Sequence, residues 1–259
     1  MAPRSLKTTR DLLSEETFVN PDIGRLELAV QSDIFVLSMP KCATTALQRG
    51  FDNAGRPALH AHNNPTFYDA FTNGALLRQA GVGLEEIVRL RLRDNSRPLF
   101  IFFGYREPVS WYFSLAGHFQ LTLDESLRGR MLSNLESGYP WARYKIAETL
   151  RVIEAATGID MRRGRFDTSA GYSRYSKGNA HLIAYRFDRL AELERMIVHE
   201  IEPGFIMRRE RANTNAAYVD YVKQLRLNGG LLDRLMAGEF FDYFYAPEER
   251  QQLIARYLG

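Results

Sequence analysis

Lys41, Thr44 and Thr45 stand just after an apolar run, Ile34 to Ser38, and just before a helical pattern carried by Ala46, Leu47, Phe51 and Ala54. A helix N-terminus offers unpaired backbone N–H groups and a partial positive charge, so this order suits an anionic ester such as a phosphate or sulfate. Pro40 stiffens the exit from the strand, Lys41 adds a full charge, and the two threonine hydroxyls can donate to non-bridging oxygens. Cys42, Ala43 and Ala46 supply the rest of the backbone that would wrap the anion. The Gly-x-x-x-x-Gly-Lys-Ser/Thr spacing of a Walker A loop is absent, and no glycine lies between Ser38 and Gln48. A strand leading into a threonine-started helix is also a common structural unit, so this segment alone leaves both readings standing.

A second segment, residues 98 to 119, repeats the strand-to-helix order. Leu99 to Phe103 is a buried apolar strand, Arg106 sits at its carboxyl end, and Pro108 occupies the first turn of a new helix. Ser114, eight residues beyond Arg106, lies within reach of a group held by the guanidinium, and Arg suits bidentate phosphate recognition. Two anion sites at the carboxyl ends of strands in one sheet predict a ligand with phosphates at both ends.

These residues resemble the two signature motifs of the sulfotransferases that use 3′-phosphoadenosine 5′-phosphosulfate (PAPS). Pro40, Lys41, Cys42, Ala43, Thr44 and Thr45 are similar to the family's motif for the 5′-phosphosulfate, with Ala43 where Gly is common. Arg106, Glu107, Pro108 and Ser114 are similar to its motif for the 3′-phosphate. The resemblance covers residues 30 to 120. Further on, Gly171 to Tyr175, Leu182 to Arg186 and Asn213 to Tyr221 are similar to bacterial capsular polysaccharide synthesis proteins. The resemblance implies a P-loop-like three-layer α/β fold and transfer of a sulfuryl group to a hydroxyl of a carbohydrate or glycan precursor. Adenosine 3′,5′-bisphosphate would be the product, and no metal is expected.

Within that expectation Lys41 neutralises the leaving oxygen as well as anchoring it. A histidine suits the base, being neutral and ready to accept a proton near neutral pH. His62 is the first candidate, because Pro57 to His62 reads as a strand beside the loop, and its His-x-His pattern is similar to one in uronyl 2-O-sulfotransferases. His60, two residues away on the same strand face, would orient His62 or contact the acceptor. His118 on the Ser114 helix stands in reserve as the base, Glu107 is only weakly excluded because some family members use a Glu base, and the alternative is that His60 and His62 are strand histidines satisfied in the core. Cys42, beside a helix N-terminus and Lys41, invites a nucleophilic reading, but the related motifs place many residue types there.

The elements that must position these groups alternate. Helical patterns run from Thr66 to Gln79 and from Leu84 to Asp94, then Trp141 to Ala156 up to Gly158. A strand from His181 to Phe187 leads into a helix capped by Asp188, and Ala212 to Leu225, Leu231 to Met236 and Pro247 to Tyr257 are helical. This order predicts a mostly parallel sheet covered on both faces, with a helical C-terminal part. A basic run from Arg208 to Asn213 could form a lid or a solvated charge run, and the aromatic run from Phe240 to Tyr245 could stack a sugar or fill the core.

The 259 residues are 45% hydrophobic and interrupted by no linker or repeat, which predicts a single domain with a mobile arm over residues 1 to 25. One cysteine excludes an intrachain disulfide framework and fits a reducing compartment. No apolar run is long enough to cross a membrane and no signal core opens the chain, so a bacterial cytoplasmic protein is expected. A net charge of +3, carried by 29 Arg and five Lys against 31 acidic residues, is too mild to predict nucleic-acid binding. A noncatalytic nucleotide-binding homologue and a P-loop-like phosphotransferase are the competing readings. Oligomeric state and acceptor identity lie beyond the sequence.

Overall fold

The computed structural model describes residues 31–62, 83–93, 97–118, 132–133, 135, 146–208 and 216–259. The N-terminal arm, the helix expected over Thr66 to Gln79, residues 141–145 and the run 209–213 lie outside the described residues. So does the side chain of His118.

Five strands form one sheet in the order β2-β1-β3-β5-β4. They are β1 (Ile34–Leu37), β2 (Ala58–Ala61), β3 (Leu99–Tyr105), β4 (Tyr172–Lys177) and β5 (Ala180–Arg186). The first three and β5 run parallel, with Val36 opposite His60 and Phe102, and Gly104 opposite Tyr185. β4 is antiparallel to β5 across a two-residue turn, Gly178-Asn179, in which Gly178 takes φ 58°. The sequence reading has no strand at β4, although a two-residue turn beginning with Gly between alternating segments is a hairpin signal.

Alternate residues of each strand feed two cores. Ile34 and Val36 pack with Leu47 and Phe51 of α1 (Thr44–Asn53) and with Leu193 and Ile197 of α5 (Leu190–Glu200). Phe35 and Leu37 face the other way, toward Ile87 and Val88 of α2 (Leu84–Arg93) and Val109, Trp111 and Phe113 of α3 (Pro108–His118). The latter core also takes in α4 (146–157) and the C-terminal helices α6 (Ala216–Gln224), α7 (Gly229–Met236), α8 (Glu239–Phe244) and α9 (Pro247–Tyr257). The protein is therefore an α/β structure with a mostly parallel sheet between helices. Phe240, Phe241 and Phe244 are buried in α8, so the aromatic run fills the core.

The helix after β1 covers one face and the helix after β3 covers the other. Between two such strands the connections part and leave a crevice at their carboxyl ends, where open α/β sheets bind ligands. Lys41 and Arg106 both lie there.

Asp188 does not cap the helix as the sequence suggests. Residues Phe187–Arg189 form a 3-10 turn, α5 starts after Arg189, and the Asp188 carboxylate instead accepts both Nε and Nη2 of Arg186 at 3.1 and 2.6 Å. Arg186 is buried and needs compensation for its charge; Glu249 of α9 supplies the rest at 2.7 Å, and Tyr245 lies under the guanidinium at 4.0 Å. Burial works against that charge, but the bonds to Asp188 and Glu249 outweigh it and raise the arginine's pKa above its ordinary value. This network fastens the C-terminal helices to the end of β5. Among the described residues no helix is long and apolar enough to cross a membrane.

Candidate functional site

The loop between β1 and α1 is held by its carbonyl groups. Trp111 Nε1 donates to the Pro40 carbonyl at 3.0 Å, Arg106 Nη1 to that of Lys41 at 3.2 Å, and the Tyr185 hydroxyl to that of Cys42 at 2.6 Å. In a trans peptide the C=O and the following N–H point in opposite directions. Each bond therefore turns one amide, of Lys41, Cys42 and Ala43 in turn, away from the side chain that holds its carbonyl.

Lys41 and Ala43 have φ of 66° and 64°, whereas Cys42 between them does not have positive φ. Alternation of this kind gathers successive N–H groups into an anion-binding concavity. It also costs about 1 kcal/mol for each non-glycine residue. Ala43 is the N-cap of α1 and makes no side-chain cap bond, so the first-turn N–H groups continue the concavity through Thr44, Thr45 and Ala46. Thr44 is buried and Thr45 is partly exposed.

Ser38 joins this loop to the second one. Its hydroxyl accepts from the Gly104 amide at 2.9 Å and donates to the Gly104 carbonyl at 3.0 Å, closing the gap where the β1–β3 pairing has ended. Gly104 is needed there: a Cβ would stand 2.5 Å from Tyr185 Cζ and 2.9 Å from Cys42 Cβ.

Arg106 is fixed from three directions. Its Nε donates to Ser110 Oγ at 2.9 Å, its Nη1 to Lys41, and the ring of Phe187 lies 3.9 Å from the guanidinium carbon. Burial lowers its pKa from the ordinary value, partly offset by neighbouring ionisable groups, and it stays charged. Among the described residues these bonds use two of its five N–H donors. The hydroxyl on Nε belongs to Ser110 rather than Ser114; Ser114 is one turn further along the same face of α3, partly exposed.

Glu107 is a helix cap. Its carboxylate accepts from the Val109 and Ser110 amides, each at 2.8 Å, and from the Tyr257 hydroxyl at 2.9 Å. With Pro108 at the first helical position, the Arg-Glu-Pro triplet starts α3 and aims Arg106, and the carboxylate is occupied in a way that removes it as a candidate base.

His62 follows β2 directly and is buried. Its Nδ1 lies 2.6 Å from the Ser38 carbonyl. A carbonyl only accepts, so Nδ1 carries a proton. His60 lies against it edge to face, centroids 4.7 Å apart, with its own Nδ1 donating to Gln48 Oε1 of α1 at 3.0 Å. The two histidines share a face, as period two requires, and His62 is tied to the same loop as Lys41.

Cys42 is buried, and burial pushes its thiol up to about 12 against the opposing pull of Arg106 and Ser38, which removes a nucleophilic role. His181 accepts or donates to Ser176 at 2.7 Å and stacks on Phe100, and His199 is exposed near the end of α5. Among the described residues no group of three His, Cys, Asp or Glu could hold a metal ion.

Sequence reasoning missed Ser38, Gly104, Ser110, Trp111, Tyr185 and Phe187. An isolated glycine inside an apolar strand is a signal of close approach, and Gly104 could have been found that way. Comparison with known proteins supplies no family: no family model, no curated protein and no solved structure matches the chain.

Proposed function

We propose that the chain is a sulfotransferase that moves the sulfuryl group of PAPS to a hydroxyl of a saccharide acceptor. The observation that carries this reading is the loop at 40–43, whose carbonyls are bonded away so that its amides gather beside Lys41, with Arg106 fixed on the neighbouring strand end. A cradle of amides suits the 5′-phosphosulfate and a half-buried arginine suits the 3′-phosphate. The crevice between oppositely covered strands supports the P-loop-like part of the reading.

Lys41 would neutralise the 5′-phosphate oxygen on which charge develops as its bond to sulfur breaks. Nε2 of His62 would take the proton of the acceptor hydroxyl while that oxygen bonds to sulfur, giving a sulfate ester and adenosine 3′,5′-bisphosphate. The bond from Nδ1 to Ser38 holds the ring in the tautomer this step needs, and His60 packs it in place.

Calorimetric titration with adenosine 3′,5′-bisphosphate is expected to show binding, and failure to bind defeats the reading. Transfer of labelled sulfate from PAPS to a panel of saccharides is expected to fall at least a hundredfold in His62→Ala with nucleotide affinity kept. Undiminished turnover would move the base elsewhere, and nucleotide binding without transfer by the parent would mark a noncatalytic binder.

A further inference from the structure

We propose that Tyr185 is a positioning residue for the anion cradle, acting through its hydroxyl on one peptide plane of the loop. This rests on reading the loop as the 5′-phosphosulfate site. Tyr185 belongs to β5 and lies opposite Gly104 of β3, so its ring crosses β3 at the one position there with no side chain. It ends 2.6 Å from the Cys42 carbonyl, and the residue is fully buried. Because burial also raises its pKa well above the ordinary value, the hydroxyl stays a donor at any working pH.

The carbonyl it holds precedes Ala43, the residue in the left-handed conformation at the N-cap of α1. Holding that carbonyl inward directs the Ala43 amide outward and keeps an otherwise unfavoured φ populated. Without the hydroxyl, the peptide can rotate toward the conformation alanine prefers, and the cradle loses an amide at its centre. Arg106 and Trp111 hold the two preceding planes, but each also serves another purpose, as ligand donor or core side chain. Among the described residues the Tyr185 hydroxyl makes this one hydrogen bond, which separates positioning from binding.

The test uses the full chain and Tyr185→Phe, which keeps the ring in the Gly104 slot. Cys42 is the single cysteine, so cysteine labelled with 13C at its carbonyl reports on this bond alone. The signal is expected to move in Tyr185→Phe. Affinity for adenosine 3′,5′-bisphosphate is expected to weaken about tenfold, the loss of one buried hydrogen bond. Affinity for adenosine 3′-monophosphate, which lacks the group in the cradle, is expected to stay at the parent value.

Equal weakening for both nucleotides would make Tyr185 a merely structural residue and overturn the proposal; unchanged affinity for both would do the same even with a shifted signal. A parent that binds neither nucleotide defeats the sulfotransferase reading, and the positioning role with it. The parent also tests the bond without any variant: an infrared band of the labelled carbonyl at the position of a free amide would overturn the proposal, and one at a hydrogen-bonded position is expected.

Discussion

Replacing Gly104 with alanine places a methyl group where Tyr185 crosses β3. The added carbon would lie 2.5 Å from Tyr185 Cζ, 2.6 Å from its hydroxyl oxygen and 2.9 Å from Cys42 Cβ. Ordinary contacts begin near 3.5 Å, so the ring or the loop must move by about 1 Å. Overpacking of this kind costs about 1–3 kcal/mol, and losing the bond to the Cys42 carbonyl leaves a buried acceptor unmet at about 1–3 kcal/mol more. Alanine recovers about 0.5–1 kcal/mol of backbone entropy in a strand. The net expectation is a loss of about 1–5 kcal/mol in urea unfolding, accompanied by weaker binding of adenosine 3′,5′-bisphosphate. Gly50→Ala is the matching control. Its Cβ would meet Phe205 Cε2 at 2.4 Å, an equal intrusion on the opposite core at the second turn of α1, and it is expected to lose stability without changing nucleotide affinity. A Gly104→Ala protein within about 0.5 kcal/mol of the parent and with parental affinity would refute the slot and the clamp together.

Two further outcomes follow from local geometry. Ala43→Gly removes the penalty of a left-handed alanine, about 1–2 kcal/mol, against about 0.5–1 kcal/mol of added unfolded-chain entropy, and is expected to raise unfolding stability by up to about 1 kcal/mol with nucleotide binding retained; a loss of stability would contradict the assigned backbone. Glu249→Gln tests the clamp on Arg186. Burial works against the charges of Asp188 and Glu249, but Arg186 outweighs it and holds both carboxyls below their ordinary 3.8 and 4.5. Groups depressed in the folded state contribute stability above the unfolded pKa and lose it as pH falls through the folded one. Glu249→Gln should therefore be less stable at pH 7 and lose less on acidification below about pH 5, measured by urea midpoints along a pH series; an unaltered pH slope would remove Glu249 from the acid response.

The chain announces its strands and its two polar turns because burial on both faces demands apolar runs, and because Lys41, Pro40, Arg106 and Pro108 break those runs at their ends. Period two likewise puts His60 and His62 on one face, where the rings touch. The expected strand over Leu99 to Phe103 extends to Tyr105 because pairing with β5 continues through Gly104 and Tyr105, a long-range contact invisible along the chain. β4 escapes because an edge strand with solvent on much of its surface needs no apolar run. Asp188 misleads because its carboxylate chooses a buried arginine over a helix N-terminus, a choice set by the desolvation of Arg186.

By itself the sequence determined which residue types stand at the carboxyl ends of two strands, and hence that two polar turns carrying Lys41 and Arg106 face one crevice. Only the tertiary structure decided how the first turn is shaped. The carbonyls of Pro40, Lys41 and Cys42 are met by Trp111, Arg106 and Tyr185, residues 65 to 143 positions away, and no local pattern singles out Trp111 or Tyr185 or pairs Arg106 with a loop carbonyl. The physical reason is that a left-handed backbone at Lys41 and Ala43 is disfavoured locally and persists only where distant groups satisfy it.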